Sequence, residues 1–191
     1  MRDENVDYCK LFSSAIRRTS ILFPDTEVSD SLQIANLVKQ EYIILLKLLG
    51  ELFSKPEYES IIPGECINTH QYLYGIITEV IKKRYYLTVG SVIFKNEELF
   101  TFSEREVGRI PYDPQLTKFP GHVWISDESG MILDGSLKWA IRYHLRGERN
   151  PPMIDLNPSH LADFKYVPYL AGNANLIGHL VSGDAVIVCA E

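Results

Sequence analysis

Residues 121–134 read Gly121-His122-Val123-Trp124-Ile125-Ser126, then Asp127-Glu128-Ser129-Gly130, then Met131-Ile132-Leu133-Asp134. Two runs of β-branched and aromatic residues flank a polar cluster that ends in glycine, the pattern of a β-hairpin. Alternation sets His122, Trp124 and Ser126 on one face of the first strand and Val123 and Ile125 on the other. Parity then relates the ionisable ends. Paired residue numbers that sum to 256 put His122 opposite Asp134; a sum of 258 puts it opposite Ser136 and diagonal to Asp134, still within reach of an imidazole. An odd sum sends them to opposite faces.

Upstream, Tyr85 to Val89 and Ser91 to Phe94 are strand-like runs around Gly90. Between them and the hairpin, residues 95–120 hold Pro111, Pro114 and Pro120 among many charges and no period, which predicts a long surface excursion. Helical patterns come before the strands. Val6, Cys9, Phe12 and Ile16 predict a helix over residues 1–20, stopped at Pro24-Asp25-Thr26. A second, from about Asp30, carries Ile34, Leu37, Val38, Tyr42, Leu45, Leu48, Leu49 and Leu52. A third begins near Cys66 after Pro63-Gly64-Glu65, with Leu73, Ile76, Ile77, Val80 and Ile81 on one face, Cys66 on that face at its first turn, and Lys82-Lys83-Arg84 at its end. After the hairpin a short helix is expected over Leu137 to Leu145, and a last strand over Ala185 to Cys189. Helices followed by strands predict an α+β fold on an antiparallel sheet, with an N-terminal helical layer over 1–55 and a core over 56–191.

The 191 residues suit one compact domain, and 46% hydrophobic with 23% charged residues is globular composition. A net charge of −6 lacks the basic footprint of a nucleic-acid binder. The longest apolar run, Tyr42 to Leu46, is far short of the roughly 20 residues of a membrane span. Met1-Arg2-Asp3-Glu4-Asn5 leads into no apolar segment, so no secretory signal is expected. Three cysteines, Cys9, Cys66 and Cys189, are an odd and sparse set that points to a reduced, cytoplasmic setting.

Cys66, His122 and Asp134 occupy the places that cysteine catalysis needs. The thiolate is the nucleophile, and a helix N-terminus favours it through unpaired N–H groups and the helix dipole. An imidazole takes the proton and returns it to the leaving group, while a carboxylate fixes the ring's tautomer. Singly, a cysteine on an apolar helix face is a small core residue, a strand histidine a satisfied polar one, and an Asp before Gly a turn residue.

Together, Pro63-Gly64-Glu65-Cys66 at a helix start, the Tyr/Val-rich strand, Gly121-His122-Val123-Trp124-Ile125 and Ile132-Leu133-Asp134-Gly135-Ser136 resemble the core of the transglutaminase-like superfamily. The pattern is similar to that family's G-x-C, H-x-W and D-x-[ST] blocks and covers roughly residues 60–140. The resemblance implies a papain-like core, its nucleophile helix packed on an antiparallel sheet. It implies a Cys66-His122-Asp134 triad, and a cysteine hydrolase or acyltransferase acting on amide bonds of a peptide or protein without a cofactor. Bacterial members that trim leader peptides from ribosomal peptide precursors look similarly compact. Two departures stand out. Glu65 puts an acid beside the thiol, and no Gln lies between Gln40 and Gln71 to serve as the oxyanion donor of papain-like proteases.

Two other readings remain open. Cys66 and His70, at i and i+4, with His122 form a possible zinc site, Asp134 behind them or as a fourth ligand. Transglutaminase-like cores also serve as non-catalytic binding modules, the N-terminal helices then offering a surface to a protein partner. His70 otherwise reads as a helix-surface or pocket residue. His144, His160 and His179 read as structural, and Cys9 and Cys189 as core thiols.

Overall fold

The computed structural model describes residues 2–28, 47, 50–51, 66–81, 83–102, 121–137 and 164–180. Helix α1 spans Arg2–Leu22 and is followed by a 3₁₀ turn at Pro24–Thr26; α2 spans Cys66–Val80. The strands are β1 (Tyr85–Phe94), β2 (Glu97–Phe100), β3 (His122–Asp127), β4 (Ile132–Leu133) and β5 (Phe164–Gly172), and α3 covers Asn175–Leu180. The α+β class with an antiparallel sheet is present. Of the expected helix from Asp30 only Lys47, Gly50 and Glu51 are described, and all three are helical; the strand at 185–189, the helix past Leu137 and the boundary at 55/56 lie outside the described residues.

β1 is the central strand. β5 pairs with it over Leu87 to Phe94; β3 takes its other edge over Tyr85 to Gly90, and β2 continues that edge over Val92 to Phe94. Phe100 and His122 therefore sit almost end to end along β1, facing Val92 and Gly90. Two sequence expectations are corrected here. Residues 97–100 are a hairpin strand, not part of the excursion, turned by Lys95 and Asn96 in the left-handed region (φ 50° and 68°). The two runs around Gly90 are one ten-residue strand, bulged against β5 between Val89 and Gly90. A side chain at Gly90 has no room: a Cβ there would lie 2.0 Å from the Val167 carbonyl oxygen.

The hairpin closes as Asp127-Glu128-Ser129-Gly130. Asp127 Oδ1 accepts from the Ser129 and Met131 amides and from Ser129 Oγ, and Gly130 takes φ 82°. The Lys83 ammonium contacts the fully buried Asp127 carboxylate from the end of α2.

α1 joins the same core as the sheet, but on a face turned from the one expected. Tyr8, Phe12, Ala15 and Thr19 are buried, whereas Ile16 is only half-buried. Cys9, expected in the core, is half-buried too, its Sγ 3.9 Å from the Ser129 carbonyl. The cause is a polar anchor. Fully buried Trp124 donates Nε1–H to Tyr8 Oη at 2.9 Å, which leaves the Tyr8 proton for Ser126 Oγ at 2.6 Å. Tyr8→Phe strands the indole N–H and the Ser126 hydroxyl, and should cost about 1–3 kcal/mol in chemical denaturation.

Candidate active site

Asp134 is the hub. Its carboxylate is buried and takes five donors among the described residues. Oδ1 accepts the Ser136 and Leu137 amides, both at 2.9 Å, and more weakly Ser136 Oγ at 3.4 Å. Oδ2 accepts His122 Nε2–H at 2.6 Å and the Tyr166 hydroxyl at 2.9 Å. Burial alone would push this carboxyl up. The His122 imidazole, through charge and hydrogen bond together, holds it well below the usual carboxylate range.

An ionised Asp134 only accepts, so the neutral His122 ring carries its proton on Nε2. The ring is clamped between Phe100, stacked at 4.7 Å, and Trp124 at 6.1 Å. Its other nitrogen, Nδ1, is buried and has no hydrogen-bond partner among the described residues. In this tautomer Nδ1 presents a lone pair that no described group uses.

The β3–β4 register decides between the parities the sequence left open. Ile125 faces Leu133 and Ser126 faces Ile132, a sum of 258, so His122 lies diagonal to Asp134 and the imidazole spans the gap. Cys66 opens α2, 4% exposed, with Ile67, Thr69, His70, Leu73, Tyr74 and Ile77 buried beside it. α2 packs against β3 and β1. The structure thus brings His122 and Asp134 into direct contact. Cys66 stands on the adjoining helix end, and its thiol makes no hydrogen bond to His122 Nδ1.

The sequence reading missed Tyr166 and took His70 only as a possible zinc ligand or a helix-surface or pocket residue. His70, expected on a helix surface or in a pocket, is fully buried; Nδ1 lies 2.7 Å from the Cys66 carbonyl oxygen, and Nε2 accepts the Gly135 N–H at 3.0 Å. Its position four residues after Cys66 was the available signal. Tyr166 lies in a strand that the sequence reading did not anticipate, and no local pattern marks it. His179, read as structural, pairs with Asp25 at 2.8 Å and stacks on Phe23.

With both nitrogens engaged, His70 has no lone pair to offer a metal, which weighs against the zinc alternative. Among the described residues no group of three or more His, Cys, Asp or Glu is disposed to hold an ion, and no helix is long and apolar enough to cross a membrane.

No protein-family model, curated protein or solved structure matches the chain. What its own geometry defines is an α+β protein with a buried, hydrogen-bonded His–Asp pair beside the N-terminus of a cysteine-bearing helix.

Proposed function

We propose that this protein is a cysteine-dependent hydrolase or acyltransferase acting on amide bonds of a peptide or protein, with Cys66 as nucleophile, His122 as acid–base and Asp134 as orienting carboxylate. On this reading the core is papain-like, of the transglutaminase-like kind, α1 packs on it as part of the N-terminal helical layer, and the setting is the reducing cytoplasm. The observation that carries the proposal is His122 itself. Nε2 is committed to Asp134, while Nδ1 is buried without a hydrogen-bond partner among the described residues, in a ring that lies against the helix that begins at Cys66.

In the reaction, the Cys66 thiol gives its proton to His122 Nδ1 and the sulfur attacks the amide carbonyl carbon. First-turn N–H groups of α2, that of Cys66 among them, would receive the developing oxyanion. His122 then hands its Nδ1 proton to the departing amine as the C–N bond breaks, leaving a thioester. Water, or a second amine, loses a proton to His122 and attacks the thioester. The returned proton releases Cys66 as thiol. Asp134 stays ionised throughout and stabilises the imidazolium.

Competitive alkylation tests the assignment. With limiting iodoacetamide on native protein at pH 6, accessibility favours half-buried Cys9 and ionisation favours Cys66. Cys66 should label first, and Cys66→Ala should abolish that labelling and any amide-bond activity while the protein still unfolds cooperatively. Labelling that simply follows exposure would sink the proposal and leave the binding-module reading.

A further inference from the structure

We infer that His70 is a positioning residue of this site, an imidazole that ties the first turn of α2 to the corner following Asp134. The inference rests on the cysteine-hydrolase reading above. It begins from the tautomer. The Gly135 N–H points at Nε2, so Nε2 must present a lone pair; the ring proton is then on Nδ1, where the Cys66 carbonyl accepts it. The Nδ1–H ring is the one form that satisfies both partners. The 3.4 Å separation of Nε2 from Asp134 Oδ1 is then a packing contact between two acceptors, not an ion pair.

A local explanation covers only half of this. A buried histidine satisfied by the carbonyl one turn earlier accounts for Nδ1. It does not account for Nε2, whose partner lies 65 residues further on, directly after the carboxylate that holds His122. The ring thus joins two elements that the chain connects only through the sheet: the helix end bearing the thiol and the loop bearing Asp134. Its rings stand 6.0 Å from those of His122 at 80°, edge to face, so His70 also walls one side of the base. Without the link, α2 can slide along β3, and the Cys66 sulfur loses its approach to His122 Nδ1. His70 touches no reacting atom in this account; it acts through the two elements it holds.

His70→Phe keeps a flat ring and removes both hydrogen bonds; His70→Gln keeps one donor and one acceptor. The readout is the rate of Cys66 alkylation at pH 6, where reaction depends on the imidazole, and at pH 9, where an ordinary thiol ionises unaided. His70→Phe should lower the pH 6 rate about tenfold or more and hold the pH 9 rate within about twofold, and His70→Gln should restore most of the pH 6 rate. A merely structural role moves both rates together or neither. If His122→Ala lowers the pH 6 rate and His70→Phe does not, the positioning role is overturned and the hydrolase reading survives. If His122→Ala changes nothing, both fall. Should His70→Phe fail to fold, side-chain nitrogen NMR of the unaltered protein decides: a neutral Nδ1–H ring at His70 supports the role, and an Nε2–H ring refutes it.

Discussion

Asp134→Ala is expected to be the most damaging substitution in the site, in stability and reactivity alike. It strands the Ser136 and Leu137 amides, the Tyr166 hydroxyl and His122 Nε2–H, all in a buried setting. Removing one partner from a buried charged network costs about 3–5 kcal/mol, a large share of a typical domain's stability. The pH dependence has a definite sign. The folded protein holds the Asp134 carboxyl below its unfolded value of about 3.9, so its contribution is complete above that value and is lost as pH falls through the folded pKa. Denaturation midpoints of the unaltered protein should therefore drop in acid more steeply than those of Asp134→Ala.

Asp134→Asn separates the two duties of this residue. The amide oxygen can still accept the Ser136 and Leu137 N–H groups, so the corner survives. The amide NH₂, however, faces His122 Nε2–H donor against donor, whereas the Tyr166 hydroxyl can turn to accept. The imidazole relieves this by moving its proton to Nδ1, the nitrogen that on the proposed mechanism takes the thiol proton. The variant should fold, yet lose on the order of a hundredfold or more of imidazole-assisted Cys66 reactivity.

Gly90→Ala carries the second large effect. The added methyl would lie 2.0 Å from the Val167 carbonyl oxygen, 2.9 Å from the Trp124 ring and 3.0 Å from Pro168 Cα. Two of these neighbours are backbone and the third is a fully buried indole, so nothing flexible can yield. The β1–β5 pairing must open, with an expected loss of about 3 kcal/mol. Gly90 pairs with His122 on its other edge, so the same shift displaces the His122 ring. Thermal melting and the pH 6 alkylation rate should fall together, whereas Tyr8→Phe should lower stability with the smaller effect on rate.

What could be read from the residues, and what could not, divides along physical lines. The hairpin was legible because Asp127 and Gly130 specify the turn locally, and parity limited His122 and Asp134 to few arrangements. α2 was legible because Leu73, Ile77 and Ile81 recur at helical spacing and all are buried, although Val80, expected on the same face, is exposed. β2 was hidden by Glu97 and Glu98, which are exposed and look like loop. β5 was hidden by Lys165 and Pro168, which break its apolar pattern. Pro168 is tolerated because it faces Gly90 at the bulge, where the ladder is already interrupted. The buried face of α1 was misjudged because Tyr8 goes inside for its hydroxyl, and that choice depends on Trp124, more than a hundred residues away. His70 and Tyr166 follow the same rule: their partners are tertiary, so sequence spacing alone gave at most a shared helix face.

The central claim is that His122 governs the ionisation of Cys66. The rate of Cys66 alkylation, followed from pH 5 to pH 10 in the unaltered protein and in His122→Ala, tests it most directly. The account predicts a shoulder of reactivity below pH 7 in the unaltered protein, from thiolate paired with imidazolium. In His122→Ala that shoulder vanishes, leaving a single rise near the free-thiol value of about 8.5. Superimposable profiles would contradict it.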